Sequence, residues 1–192
     1  MEYKAKDYSS LLGADELSDD LLKAHFGLYE GYVKNTNKTF ELLQTEQAGS
    51  SSWAELKRRF GWEFNGMRLH ELYFGGMTKE ESKFSEDSEL LKKIIESYGT
   101  GEACHDDFVK TAAMRGIGWA VVAYDKEGDH IFNTWIGEHD IGHLAGAVPI
   151  VVMDCWEHAY IKDFGTNRAD YIDAFVKMID WKIAEQRFKE AK

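Results

Sequence analysis

Residues 153–160 read M-D-C-W-E-H-A-Y and set two polar groups, Asp154 and His158, among apolar neighbours. The run leading into them, V-P-I-V-V-M-D over 148–154, is rich in β-branched residues and reads as a buried strand that Asp154 closes. A carboxylate at a strand end commonly caps the helix that follows. Read as helical, the spacing of Asp154 and His158 puts acid and imidazole on one face, with Cβ atoms about 6 Å apart. Burying either group without a partner is unfavourable, so the pair asks for a third party.

The chain has seven histidines, at 25, 70, 105, 130, 139, 143 and 158. His25 precedes F-G-L-Y and His70 precedes E-L-Y-F, so each imidazole lies on an aromatic helical face. His105 and His130, beside Asp106 and Asp129, read as surface residues. Three imidazoles and one carboxylate would suit Fe, Mn, Zn or Co. Spacing alone does not select four ligands from so many histidines and acids. His70-Glu71 opens like the H-E-x-x-H zinc motif, but Phe74 holds the second histidine position. Neither a G-x-S-x-G elbow nor a phosphate-binding P-loop occurs.

Around these groups the pattern predicts an α+β chain. Ser18 and Asp19 cap a long helix running through L-L-K-A-H-F to E-L-L-Q, and A-G-S-S-S at 48–52 is a loop. A second helical region over 52–77 is expected to break near Gly61 to Gly66 and to close at Gly75-Gly76. Residues 88–99 and 105–116 read as amphipathic helices with glycine stops. Residues 118–125, 130–137 and 148–154 read as strands, the first two joined as a hairpin by D-K-E-G-D. Residues 166–191 return to helix. The expectation is an N-terminal helical hairpin over 1–80, then a domain over 81–192 with a three-stranded antiparallel sheet flanked by helices. A metal site would lie between them.

The formal net charge of −11 disfavours nucleic acid and anionic membrane as partners. Two cysteines, Cys104 and Cys155, make no disulfide framework, and Cys155 between Met153 and Trp156 reads as a buried thiol. With no signal core at the start and no long apolar run, the expected compartment is the cytoplasm.

The stretch D154-x-W-E-H-A-Y160 resembles the signature of the iron/manganese superoxide dismutases. H25-F-G-L-Y-E-G-Y32 and F64-N-G66…H70-E-L-Y-F74 resemble that family's two N-terminal ligand regions. F108-V-K-T-A-A…G118-W119 and W156…N167-R-A-D-Y171…W181 extend the likeness toward the C-terminus. The resemblance implies a helical hairpin followed by an α+β domain, with one iron or manganese ion per subunit and a lean to iron. The ligands would be His25, His70, Asp154 and His158, completed by a solvent molecule. It implies dismutation of superoxide with protons to dioxygen and hydrogen peroxide. Tyr32 would be the funnel tyrosine, Trp119 and Trp156 apolar walls, and Arg168 a basic residue near the entrance. Glu157 would pair with His158 across a homodimer. A metal-binding member with lost or altered activity, and a non-haem iron oxygenase, are the alternatives.

Departures from the family pattern are local. His25 to Tyr32 is H-x6-Y, one residue shorter than usual, and Tyr29 stands where the family has a histidine. Ile161 replaces the aromatic after the H-A-Y tyrosine, which in the family bonds that histidine across the dimer. Phe74 and Val121 stand where tryptophan is common, and Val152 is bulkier than glycine two positions before the acid. The family's outer-shell glutamine is absent from the G-M-R-L run at 66–69, and the resemblance sets His139, in G-E-H-D at 137–140, where some members carry histidine. His139 would then be the partner of metal-bound solvent, ahead of Glu138 or His143.

Overall fold

The computed structural model describes residues 2–192. Helix α1 (Asp19–Thr45) starts at its expected cap: the Ser18 side chain accepts the Leu21 amide, and Asp19 and Asp20 complement the dipole. Leu21, Leu22, His25, Tyr29, Val33 and Thr36 form its buried stripe at three- and four-residue intervals. Helix α2 (Ser51–Phe74), capped by Ser50, folds back against α1. It runs without a break, contrary to the expectation at Gly61 to Gly66. A glycine inside a helix costs only about 1 kcal/mol relative to alanine, and tertiary packing overrides it. At Gly66 the packing is specific: a Cβ would lie 2.6 Å from the Tyr32 ring, so glycine lets α1 seat that ring against α2. The helix stops at Gly75-Gly76 as expected.

Two helices, α3 (Glu89–Tyr98) and α4 (Gly101–Ala112), lead into the sheet. Its strands are β1 (Gly118–Asp125), β2 (His130–Gly137) and β3 (Val148–Asp154), in the order β2-β1-β3 and antiparallel throughout. Central β1 is buried from Gly118 to Tyr124. Helix α2 packs on β3, while α3 and α4 pack on β2, so the sheet is enclosed by both halves of the chain. Trp119 pairs with Asp154, and Val121 with Val152, so these four share one face of the sheet.

Asp154 and His158 are not on a helix. Asp154 ends β3 and His158 sits in a 3-10 turn (Glu157–Ala159), followed by α5 (Ile161–Phe164), α6 (Arg168–Lys177) and α7 (Trp181–Ala191). Both free cysteines are buried. Among the described residues no helix is long and apolar enough to cross a membrane.

Candidate metal centre

Each half of the chain supplies two polar groups to one buried point. His25 projects from α1 and His70 from α2, and their rings meet edge to face at 5.1 Å. Asp154 comes from the end of β3 and His158 from the turn behind it. The Nε2 atoms of His25, His158 and His70 lie 3.2, 3.1 and 3.6 Å from one oxygen, Asp154 Oδ2. The other oxygen, Oδ1, accepts the Trp156 amide at 2.8 Å. Asp154 therefore does not cap a helix: the 3-10 turn after it is entered through Trp156 with no side-chain cap, and Oδ1 instead closes a local turn while Oδ2 faces inward.

His70 Nδ1 donates to the Gly66 carbonyl at 2.6 Å, which leaves Nε2 as a lone pair, and that buried atom has no hydrogen-bond partner. Burial pushes the His70 pKa down to about 3 and lowers that of His25, so both rings are neutral near pH 7. For Asp154, burial alone would raise the pKa. The neighbouring His158 and His25 outweigh it and hold the carboxyl well below its usual range. Three imidazoles and one carboxylate are a donor set for a first-row transition ion. Bonds of about 2.1 Å at 90–120° separate ligand atoms by about 3.0–3.6 Å. The spacings around Oδ2 match that, and all four ligand atoms lie within 4.8 Å of one another. The residues fit one iron or manganese ion.

Outside these four lies a hydrogen-bonded chain. Trp119 Nε1, which can only donate, gives its proton to His139 Nδ1 at 3.1 Å. His139 Nε2 therefore carries the ring proton and donates to Tyr32 Oη at 2.8 Å. Burial lowers the His139 pKa to about 4, in keeping with that neutral tautomer. Below the site, Tyr171 Oη donates to the Asp154 carbonyl at 2.8 Å and meets Tyr73 Oη at 3.1 Å.

The C-terminal domain of the iron/manganese superoxide dismutases matches residues 86–187. An Aquifex pyrophilus protein named superoxide dismutase [Fe] is 33% identical over 97% of this chain and 91% of its own length. The chain belongs to the iron/manganese superoxide dismutase family. A Haloferax volcanii relative named superoxide dismutase [Mn] 2 is 33% identical over 91% of this chain and 88% of its own. A Tetrahymena pyriformis superoxide dismutase [Fe] is 30% identical over 91% and 93%.

As a member of this family the chain has its own surroundings for the site. Tyr29, at the family's histidine position, is buried; its hydroxyl donates to Glu71 Oε1 at 3.1 Å and accepts the Lys6 amide. It serves the core of its own chain, and its neighbour Leu28 is the exposed residue. Phe74 fills the space beside His25, with ring centroids 4.8 Å apart. The Arg168 guanidinium donates to the carbonyls of Ala112, Met114, Gly116 and Cys155, tying the entry of β1 to the turn after β3. Glu157 is exposed, and the His158 side chain is 25% exposed. His143 holds the His139 carbonyl through Nε2, and His105 and His130 lie away from the cluster.

Sequence reasoning missed Trp62 and Arg59. Trp62 lies 4.6 Å from the His139 ring and 5.7 Å from that of Tyr32, and the Arg59 guanidinium rests 4.3 Å over Trp62. Trp62, Gly66 and His70 recur every four residues along α2, so the helical stripe through His70 was the available signal.

Proposed function

We propose that this protein is a superoxide dismutase: two superoxide ions and two protons become one dioxygen and one hydrogen peroxide. The observation that carries the reading is the convergence of three imidazole nitrogens on Asp154 Oδ2 in a buried pocket of this family's fold. His25, His70, Asp154 and His158 would hold one iron or manganese ion. When bound, that ion supplies the one-electron oxidation of one superoxide and the one-electron reduction of the other.

The remaining work falls to this chain's own groups. Asp154 is the single anionic donor and offsets part of the cation's charge. Trp119 and Trp156 wall the pocket, with Trp156 stacked on His139 and Trp119 against His70, and keep bulk water out. Tyr32 is the group that orders protons at the site. Its oxygen accepts from His139 Nε2, so its own hydroxyl proton remains free to be donated on the metal side. His139 serves that side through Tyr32, because both of its ring nitrogens are already engaged. Arg168 acts by fixing backbone around the site, and Arg59 supplies positive charge beside Tyr32.

A homodimer in the cytoplasm completes the proposal. Glu157 forms no ion pair within its own chain among the described residues, and Ile161 beside it is 52% exposed, which supports a contact with His158 of a second copy. The two buried thiols support a reducing compartment. The test is superoxide consumption by purified protein loaded separately with iron and with manganese, metal content measured alongside. Consumption by at least one form is expected. If both forms hold stoichiometric metal and neither consumes superoxide, the reading is wrong.

A further inference from the structure

One segment beside the site carries more order than a connecting loop requires. Glu138 follows β2 directly and adopts φ of 48°, a left-handed conformation that non-glycine residues seldom take. Such a backbone persists where its surroundings hold it and often marks a functional constraint. The surroundings here are specific. The Glu138 amide donates to the Ile117 carbonyl at 3.0 Å, and the preceding Gly137 exchanges two hydrogen bonds with Ile141. Fixed in this way, Glu138 meets two indoles from opposite halves of the chain. Trp62 of α2 donates Nε1–H to its Oε2 at 3.2 Å, and Trp156 donates to its backbone carbonyl at 3.4 Å. Both rings press on the next residue, His139: Trp156 lies parallel to it at 4.9 Å and Trp62 stands against it at 4.6 Å. The two indole centroids are 6.5 Å apart, so they form a corner around the imidazole.

We propose that Glu138 is a positioning residue: it clamps Trp62 and Trp156 around His139 and so fixes the imidazole that orients the Tyr32 hydroxyl. The two grips differ in kind. The hold on Trp156 uses main chain and survives any substitution at 138. The hold on Trp62 uses the carboxylate and depends on it. Without it, α2 still places Trp62 near the site and Arg59 still rests over the ring, but no hydrogen bond fixes the angle at which the indole meets His139. That looseness reaches Tyr32 through its hydrogen bond with His139 and through the ring contact Trp62 makes with it.

The inference rests on the dismutase reading for its catalytic consequence, while the clamp itself can be measured without turnover. The variants are Glu138→Gly and Glu138→Gln. Glycine accepts a φ of 48° without strain, so its effect reports the lost carboxylate rather than a distorted backbone. Glutamine keeps a side-chain oxygen for the indole N–H. The structural readout is 19F NMR of 5-fluorotryptophan-labelled protein, metal-free and metal-loaded, with Trp62 and Trp156 assigned through Trp62→Phe and Trp156→Phe. In Glu138→Gly the Trp62 resonance is expected to shift and lose its ring-current dispersion while Trp156 stays in place. Glu138→Gln is expected to keep both. With equal metal content, kcat of Glu138→Gly is expected to fall about tenfold, a fraction of the roughly 10²–10⁴-fold that a positioned proton donor contributes, and Glu138→Gln to restore most of it. Failure of wild-type turnover with an intact Trp62 response would overturn the dismutase reading and keep the clamp. An unmoved Trp62 resonance in Glu138→Gly, or equal losses in both variants, would overturn the clamp.

Discussion

His70 and His139 show how a single ring can tie folding to pH. Each is buried with one nitrogen committed as a donor, and burial lowers their pKa values to about 3 and about 4 from an ordinary 6.5. The unfolded chain therefore binds protons that the folded chain refuses, in the interval between those values. Their stabilising contribution is complete above pH 6.5. It declines as pH falls, ending near pH 4 for His139 and near pH 3 for His70. At about 1.4 kcal/mol per pKa unit, the two together are large against the stability of a typical domain. Urea unfolding of the metal-free protein should show a midpoint falling steadily from pH 6.5 toward pH 4. A flat midpoint over that range would mean that neither ring is buried neutral. The histidines on aromatic helical faces were legible in the sequence because an imidazole there has no local partner. The direction of each ring was not, since it depends on the Gly66 carbonyl for His70 and on the Trp119 indole for His139.

Helix α2 carries a candidate ligand, a cleft for a neighbouring ring and part of the roof on one stripe. His70, Gly66 and Trp62 stand four residues apart, and the missing side chain in the middle is as consequential as the two aromatic ones. Gly66→Ala would gain helix propensity in isolation. Against the Tyr32 ring, whose atoms lie 2.6 and 2.7 Å from the added Cβ, it forces α1 and α2 apart or turns the ring away. The expected result is a net loss of about 1–3 kcal/mol, typical of overpacking, together with loss of the bond from His139 to Tyr32. Thermal unfolding checks the first, and a crystal structure of the variant checks the second. A variant more stable than wild type would show that the helices yield without strain. Periodicity identified both long helices and all three strands, and failed where it treated glycines as breaks. Gly61 and Gly66 look alike in the sequence, and only the partner across the hairpin separates tolerated flexibility from required space. The same holds for residues 154–158, where a four-residue interval suggested a helix and the chain instead leaves a strand through a tight turn.

Across the whole molecule, the charge balance works against an anionic substrate. With a formal net charge of −11, superoxide must be drawn by a local field. Arg168 spends its guanidinium on backbone carbonyls, whereas Arg59, with a side chain 56% exposed, lies over Trp62 beside Tyr32. Its pairing with buried Glu63 moderates its reach without removing it. Arg59→Gln should therefore lower kcat/KM and flatten its dependence on ionic strength, with metal content unchanged. Screening lengths of about 8–10 Å near 0.1–0.15 M salt make such steering measurable between dilute and physiological buffer. An unaltered salt dependence would remove Arg59 from the substrate's approach.

The sequence by itself determined the order of the elements, and its likeness to a known family named four candidate ligands among many histidines and acids. Strand alternation and helix caps are written in neighbouring residues, and neighbours along a chain need no folded context to be read. Only the tertiary structure decided what each group touches. Tyr29 turned into the core, Arg168 toward carbonyls, Trp62 onto His139, and Glu138 onto Trp62. The physical reason is geometric: the rotation of a helix about its axis and the exit angle of a strand are set by packing against distant segments, and a small change in either redirects every polar atom they carry.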